Sequence, residues 1–197
     1  MAPTLIDDHL RFRLDDVDPA VTAVVLQCER AVPGPREFTR DDAGWCLDLP
    51  VPSLQRIEYR FAVGRGDAVD IVLDPANPLT VRTAFGDRSV VELPGYVPPW
   101  WLSAPAVPGR LDPHTLTGET SHEVPVTVWI PQDLPDTEPA PLLLVHDGPE
   151  YDQLASITTY SAALIATGVL PPHRVALAAP VIRDAWYSGS PQYLRTI

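Results

Sequence analysis

The stretch "PLLLVHDGPEYD" at 141–152 restricts the fold more than any other part of the chain. Leu142 to Val145 form a continuous apolar run, which ends at His146-Asp147-Gly148-Pro149. Such a run is typical of a strand buried on both faces, and these strands occur mainly in the parallel sheets of α/β proteins. The run therefore predicts a central parallel strand, and the polar residues after it predict the loop at its carboxyl end.

The segments around this strand predict one βαβ unit. "HEVPVTVWIP" at 122–131 alternates, "SITTYSAALIATG" at 156–168 has helical spacing, and "HRVALAAP" at 173–180 is a second buried strand. Ser190 before Pro191 predicts the N-cap and first residue of a last helix. Strand, helix and strand at this spacing predict a mostly parallel sheet.

The order of these strands predicts an unfinished sheet. A domain is not expected to end with a three-stranded sheet in which strand 173–180 is an open edge, because an open edge tends to pair with another chain. We therefore expect the sheet to continue beyond residue 197 in the full-length protein.

Residues 1–98 have the pattern of an all-β unit. The stretch "GRGDA" at 64–68 predicts a hairpin, and "DPANP" at 74–78 ends its second strand because proline cannot donate to a strand ladder. Several short strands separated by turns predict a β-sandwich of about seven strands. The strand-like runs are 21–29, 45–49, 56–63 and 69–73, and their residues predicted to face the core are Trp45, Leu47, Leu49, Ile57, Tyr59, Phe61 and Val63.

A proline-rich stretch at 99–122 lacks a sustained period. It predicts a linker between a first domain, 1–98, and a second, 123–197. We expect this linker to be packed, because Trp100 and Trp101 would be costly to leave in water.

Charge and hydropathy exclude several classes of partner. The net charge is −12 and all 14 basic residues are arginine, without a cluster on one face, so neither nucleic acid nor an anionic membrane is an expected partner. No apolar run approaches the ~18 residues that span a bilayer. The N-terminus lacks the pattern of a secretory signal, so we expect a cytoplasmic protein.

Cys28 and Cys46 are expected to be buried reduced thiols, although a disulfide between neighbouring strands stays open.

Two loops are candidates for a ligand site, because α/β sheets bind ligands at the carboxyl ends of their strands. In the loop 146–152, Gly148 lets the backbone approach a ligand closely. A pocket between this loop and the loop 181–190 is one interpretation. Alternatively, Arg183 pairs locally with Asp184 while Trp186 covers the end of the sheet. The second loop contributes Arg183, Trp186 and Tyr187.

Other combinations of polar residues do not predict catalysis or a metal site. His146 and Asp147 are adjacent at a strand end and should point in opposite directions, so we do not expect a catalytic dyad. No spacing of cysteine, histidine or carboxylate residues suggests a metal, and no cofactor is expected. The remaining histidines, expected at the surface or in packing, are His9, His114, His122 and His173. The acidic loop of Asp133, Asp136 and Glu138 is expected to be solvated.

Taken in order, the motifs resemble a known family. "LLLVHDGPEYD", a helix, a strand and then "PVIRDAWYSGSPQYLRTI" resemble the front half of the enterochelin-esterase-type α/β-hydrolases. "EYRFAVGRGDAVDIVLDPANP" at 58–78 resembles the early-set, immunoglobulin-like domain that precedes the hydrolase domain in those esterases. The resemblance implies an immunoglobulin-like sandwich followed by an incomplete α/β-hydrolase-type parallel sheet.

The resemblance also implies a reaction: cleavage of small-molecule esters, among them siderophore trilactones, by a serine carboxylesterase. Such enzymes use a Ser–His–Asp/Glu triad with the serine on a G-x-S-x-G elbow. Ser188 and Ser190 flank Gly189 without this pattern, and Ser121 also fails. We therefore expect no catalytic residue in this chain, with the nucleophile, acid and histidine all beyond residue 197.

What the chain would contribute is part of an oxyanion hole. In this architecture one donor comes from the loop after the third strand, here Asp147, Gly148 and Glu150. Pro149 has no N–H, so the donor would be Gly148 or Glu150. Arg183 and Tyr187 would line a pocket for an anionic or catecholate substrate.

Two alternatives differ in class. The sandwich could be a non-catalytic module that binds a glycan or a protein, since related domains occur in glycan-processing enzymes. No exposed aromatic platform is evident, because Tyr59 and Phe61 share the predicted buried face and Trp45 looks like core. The chain could also be a truncated or split gene product whose other half is encoded downstream.

Overall fold

The computed structural model describes residues 2–117, 123–187 and 189–196, so Ser121, His122 and Ser188 lie outside the described residues. The chain divides into two compact units, Met1–Val97 and Pro98–Ile197. No helix in the described ranges is long and apolar enough to cross a membrane.

The first unit consists of two antiparallel sheets. One has the order β1-β2-β5-β4, and the other has the order β3-β6-β9-β8 with β7 also paired to β6. Its described residues form nine strands rather than about seven, because β1, β4 and β8 are too short to show an alternating pattern. The strands are β1 Thr4–Ile6, β2 His9–Leu14, β3 Val21–Cys28, β4 Thr39–Asp41, β5 Gly44–Pro50, β6 Arg56–Arg65, β7 Ala68–Val72, β8 Thr80–Val81 and β9 Arg88–Glu92.

Residues from both sheets share one hydrophobic core. Alternate residues of β2 and β5 from one sheet and of β3 and β6 from the other are buried in a single cluster. The Phe12 and Tyr59 rings meet edge to face, with centroids 4.9 Å apart. The seven predicted core residues of β5 and β6 are all buried, so the alternating pattern is confirmed. Burial of each large apolar side chain contributes about 1.5–3 kcal/mol.

A buried polar network explains the "DPANP" turn. The Tyr59 hydroxyl donates to Asp74 Oδ2 at 2.7 Å and accepts from Asn77 Nδ2 at 3.0 Å. The Ser89 hydroxyl oxygen accepts from the Asp74 N–H at 2.9 Å, and the Val90 carbonyl accepts from Asn77 Nδ2 at 2.7 Å. Side chains of the turn after β7 are thus tied to β6 and β9 inside the core, where unpaired polar groups would be costly.

Both cysteines are free thiols, as expected, although each is half-buried rather than buried. Burial raises the pKa of the Cys28 thiol and of the Cys46 thiol. The disulfide that the sequence left open is not formed in this structure.

The second unit is built on a four-stranded mixed sheet of order β10-β11-β13-β12, preceded by a short 3₁₀-helix, Trp100–Leu102. β12 is parallel to β13, whereas β11 is antiparallel to both β10 and β13. The elements are β10 Gly109–Thr117, β11 Glu123–Pro131, β12 Leu142–His146, α1 Gly148–Ala155, α2 Ile157–Ala166, β13 Arg174–Ala178, α3 Arg183–Tyr187 and α4 Pro191–Thr196.

The positions of the two strands predicted to be buried, which are β12 and β13 in the structure, were predicted wrongly. β13 lies inside the sheet and β12 is at its edge, with Leu142 62% and Leu143 41% exposed. The sheet is also mixed rather than mostly parallel. An apolar run indicates only that a strand is suited to burial on both faces. The order of the strands in the sheet depends instead on where the connection through α1 and α2 places β13 relative to β12.

The predicted linker 99–122 is partly regular structure. β10 pairs with β11 along its whole length, and Pro113 is tolerated there because β10 is an edge strand. Pro113 and the polar residues of β10 concealed its alternation. Trp101 packs against Tyr160 at 5.5 Å, as expected for a packed segment, but Trp100 is 52% exposed.

The helices of the second unit cover both faces of its sheet. The α2 residue Ala162 packs with Trp129, Val175 and Leu177 on one face. Trp186 of α3 and Tyr193 of α4 pack with sheet residues of the other face in a separate cluster. The predicted helix at 156–168 is confirmed as α2, whereas α1 replaces most of the predicted loop 146–152.

Replacing Tyr59 with phenylalanine should destabilise the first unit by about 1–3 kcal/mol, because Asp74 and Asn77 would lose a buried partner. Urea unfolding measures this loss. Tyr96→Phe is the matched control, since Tyr96 lies outside the core cluster, and it should change the free energy of unfolding by less than about 0.5 kcal/mol. Equal losses in the two variants would contradict the role of the network.

Candidate active site

A single residue, Asp147, joins the end of β12 to the start of α1. Its backbone is left-handed, with φ 52° and ψ 34°. A non-glycine residue in this region costs about 1–3 kcal/mol and persists only where its surroundings hold it. The strand-to-helix turn is therefore a strained point at the carboxyl end of β12.

Three hydrogen bonds hold Asp147 in this conformation. Its N–H donates to the Tyr187 hydroxyl at 3.1 Å, and its carboxylate accepts from Arg183 Nε at 3.0 Å. Its carbonyl accepts from the Tyr151 N–H at 3.0 Å within α1. Tyr187 and Arg183 are the two ends of α3, so one helical turn holds both the backbone and the side chain of Asp147.

This arrangement changes the expectation for Arg183. Its ion pair is with Asp147, not with the neighbouring Asp184, because α3 places the Arg183 guanidinium over the β12–α1 turn. The Arg183 side chain remains 60% exposed, whereas the Asp147 side chain is 18% exposed. Trp186, expected to cover the end of the sheet, is buried against it.

Gly148 fixes how closely α1 approaches the sheet. A Cβ atom at this position would lie 2.3 Å from the Leu177 Cα of β13, a distance that backbone atoms cannot tolerate. Glycine is therefore required for close packing of the helix start on the strand. The sequence predicted that Gly148 lets the backbone approach a ligand. The structure adds a steric reason for glycine, which is the contact with β13.

The first turn of α1 leaves two N–H groups available. Early N–H groups of a helix have no intrahelical acceptor, and here the Asp147 N–H is bonded to Tyr187 while Pro149 has none. Among the described residues no acceptor is found for the N–H of Gly148 or Glu150. Two donors at a helix N-terminus can stabilise a negatively charged oxygen.

An aromatic group lies next to this turn. His146 Nδ1 is 2.9 Å from the Tyr193 hydroxyl, and its ring is 4.8 Å from that of Tyr187. Trp186 stacks on Tyr193 at 5.1 Å. His146 and Asp147 thus bond to different tyrosines.

Burial is the main cause of the raised pKa of both tyrosines. The pKa of Tyr187 is raised by burial and further by the Asp147 carboxylate. The pKa of Tyr193 rises to about 12, again through burial first and then through Tyr187. Both hydroxyls are neutral donors and acceptors at physiological pH.

Tyr193 was missed by the sequence interpretation, although a signal for it was present. Ser190 accepts from the Tyr193 N–H at 3.3 Å, which confirms Ser190 as the N-cap and Pro191 as the first residue of α4. The cap fixes the first turn of α4, and from this turn the Tyr193 hydroxyl contacts His146. Ser190 is therefore engaged in capping.

Two carboxylate oxygens near the turn have no partner in the described part of the chain: Asp147 Oδ1 and Glu150 Oε2. No group of three potential metal ligands occurs within residues 2–117, 123–187 and 189–196. Away from the turn, buried His173 bonds to the Pro171 carbonyl, and His9 and His114 lie in strands. The Asp136 side chain is exposed, as expected for a solvated loop, and pairs with Arg110.

Comparison with known proteins identifies the fold. No protein-family model matches the sequence, and no curated protein matches it. Among solved structures, the enterochelin esterase from Shigella flexneri has a TM-score of 0.70 at 16% identity, covering 98% of this chain and 59% of that one. The ferric enterobactin esterase from Salmonella typhimurium has a TM-score of 0.68 at 16% identity, covering 91% and 55%.

A third structure is the Shigella flexneri enterobactin esterase in the presence of 2,3-di-hydroxy-N-benzoyl-serine, with a TM-score of 0.68 at 17% identity, covering 98% of this chain and 58% of that one. The resemblance is confirmed at the level of the fold: the chain has an enterochelin-esterase-like fold. It spans little more than half the length of the esterases that it matches.

Replacing Gly148 with alanine should destabilise the second unit by about 2–3 kcal/mol, because the new Cβ must displace α1 or β13. Gly168→Ala is the control, since that glycine has φ +70° with open space around it and tests the backbone conformation alone. Its cost should be about 1 kcal/mol. Thermal or urea unfolding distinguishes the two, and equal losses would show that α1 is not held against β13.

The stability of the second unit should fall at alkaline pH. The pKa of Tyr193 is raised above its ordinary value of 10.0 to about 12, so the unfolded chain releases this proton first. Stability is fully present below about pH 10 and is lost as pH rises toward about 12. Urea unfolding across this range should show a smaller fall for Tyr193→Phe. Identical pH dependence of variant and parent would contradict the raised pKa.

Proposed function

We propose that this chain is the front segment of a serine carboxylesterase-like hydrolase that acts on small-molecule esters. Under this proposal 1–98 is an immunoglobulin-like sandwich, 99–122 is a connecting segment, and 123–197 is the first part of an α/β-hydrolase sheet. The observation that carries it is the Asp147 turn at the carboxyl end of β12, with two N–H groups available beside it.

The turn suits one step of ester cleavage. Attack on an ester carbonyl places negative charge on its oxygen, and hydrogen-bond donors fixed beforehand stabilise that charge. Removal of one such donor costs about 2.7–4 kcal/mol in the transition state. Gly148 and Glu150 would supply donors here, while Asp147 fixes the turn without donating to the substrate because its N–H is bonded to Tyr187.

The nucleophile, acid and catalytic histidine would come from a segment outside these 197 residues. The exposed edge of β12 supports a place for that segment. Leu142, Leu143 and Leu144 are exposed along it, and an apolar edge strand is a template for a further strand. A strand paired there would lie beside the Asp147 turn and deliver its carboxyl-end loop to the same edge of the sheet.

The substrate class is a further part of the proposal. Esterases of this fold have been solved in the presence of enterobactin and of 2,3-di-hydroxy-N-benzoyl-serine. The Arg183 side chain is 60% exposed although its Nε donates to Asp147, so it can meet an anionic group. Arg183 and Tyr187 would thus line the pocket for a siderophore-type ester. The protein would act in the cytoplasm.

Glycan binding by the first unit has less support. Trp45, Tyr59 and Phe61 are buried in its core, so they cannot form a sugar-stacking platform. No cofactor or metal is required by the proposed chemistry, and neither nucleic acid nor a membrane is a proposed partner.

The purified chain should show no esterase activity above background with p-nitrophenyl acetate, because it lacks the nucleophile. The measurement is hydrolysis with and without a serine-directed phosphonate. The control is the same assay on a known serine esterase under identical conditions. Turnover that the phosphonate abolishes would contradict the absence of a nucleophile from this segment.

The β12 edge should cause the isolated chain to self-associate as its concentration rises. Lysine at both Leu142 and Leu144 should shift sedimentation or size-exclusion profiles toward the monomer, since edge charges oppose strand pairing. Val181→Lys, an exposed loop substitution, is the control and should leave association unchanged. A parent chain that stays monomeric at high concentration would contradict this use of the edge.

A further inference from the structure

We infer that the first unit binds a second copy of this chain through an apolar face on the outside of one of its sheets. This outer face lies on β3, β6 and β7, whereas β12 and the Asp147 turn belong to the second unit. The inference therefore does not rest on the proposed function. The residues of the outer face are Ala23, Val25, Ala62, Gly64, Val69 and Ile71.

The register of the three strands arranges the outer face in two rows. Successive residues of a strand point to opposite sides of a sheet, and Val24 and Val63, which lie between the rows, are buried in the core. The two rows therefore point away from the core. The first row is Val25, Ala62 and Ile71, and the second is Ala23, Gly64 and Val69.

Large apolar side chains are exposed on this face. Val69 is 63% exposed and Ile71 is 43% exposed, although both lie in a strand. Val25 and Ala62 beside them are half-buried, and Ala23 is exposed. A contiguous exposed apolar patch is typical of an interaction site on the surface of a protein.

Gly64 is evidence that another backbone approaches this face. Glycine weakens a strand interior, and it often marks a place where a second backbone comes close. The Gly64 backbone does not have a positive φ, and a Cβ atom there would lie 3.5 Å from the Ala23 Cβ, which is an ordinary contact. Nothing in the described part of the first unit therefore requires glycine at this position.

The two ends of the outer face carry opposite charges. Arg60, one row before Ala62 on the same side of β6, has no carboxylate partner among the described residues. At the other end Asp67 lies in the turn from β6 to β7. Arg65 is the cation nearest to that turn, and it is already paired with two further carboxylates, Asp16 and Asp70.

Opposite charges at the two ends fit a second copy that is turned end for end. When two copies face each other with their β6 strands antiparallel, Arg60 of each copy meets the partner's Asp67 and the apolar rows cover each other. A two-fold pair of this kind uses the same patch on both subunits. A partner of uniform charge would match one end of the face and repel the other.

The size of the outer face predicts the strength of the contact. Two apolar rows on three strands are smaller than a standard interface of about 1,600 Å². We therefore expect a weak dimer that forms and dissociates reversibly with protein concentration.

Sedimentation equilibrium of the full chain carrying Leu142→Lys and Leu144→Lys tests the outer face without the β12 edge. This background should still dimerise. Adding Ile71→Lys should weaken the dimer by more than about tenfold, because the interface would then bury an unpaired charge. Val51→Lys is the matched control, since Val51 is 42% exposed and lies outside the face, and it should leave the dimer unchanged. A monomeric background, or equal effects of Ile71→Lys and Val51→Lys, would overturn the inference.

Charge reversal tests whether the partner is a second copy in this orientation. Arg60→Glu and Asp67→Arg should each weaken the dimer, because like charges then meet across the interface. The double variant should restore it, since each copy again presents opposite charges at its two ends. A double variant that dimerises no better than the single variants would overturn the assignment.

Gly64→Ala separates a role in association from a role in folding. The new Cβ fits within the chain, so the urea midpoint of unfolding should not fall, while the dimer should weaken because the two backbones are held apart. A lowered midpoint with an unchanged dimer would overturn the role given to Gly64. None of these measurements involves ester hydrolysis, so failure of the proposed function and failure of this inference are separate results.

Discussion

The hydrogen bond from the Asp147 N–H to the Tyr187 hydroxyl is the interaction on which the second unit's candidate site depends. Together with Arg183 it lets a non-glycine residue keep a left-handed backbone, so β12 passes into α1 through one residue. With that N–H engaged, the N–H groups without a described acceptor at the start of α1 are those of Gly148 and Glu150. α3 therefore determines both the shape of the turn and which amides it offers.

Periodic features were predictable because they are local. The alternation along β5 and β6 placed every predicted core residue correctly, and Ser190-Pro191 marked the start of α4. The order of strands was not predictable, since the apolar run of β12 is compatible with a central or an edge position. The partner of Arg183 was missed for a similar reason: Asp147 lies 36 residues away, whereas Asp184 is adjacent.

Several features of the second unit without partners among the described residues lie along β12 and just after it. The leucines of β12 are exposed at the open edge, and the next residues contain two carboxylate oxygens without a donor in the described part of the chain. In the first unit, the turn after β7 is bonded inside its own core. The open β12 edge supports the proposal that a further strand completes the second unit.

Amide hydrogen exchange at Asp147, Gly148 and Glu150, measured by nuclear magnetic resonance in the intact chain, tests this account most directly. The Asp147 amide should be protected and should lose that protection in Tyr187→Phe, whereas the Gly148 and Glu150 amides should exchange rapidly in both proteins. Protection of Gly148 and Glu150 in the parent chain, or an Asp147 amide that exchanges as fast as they do, would contradict it.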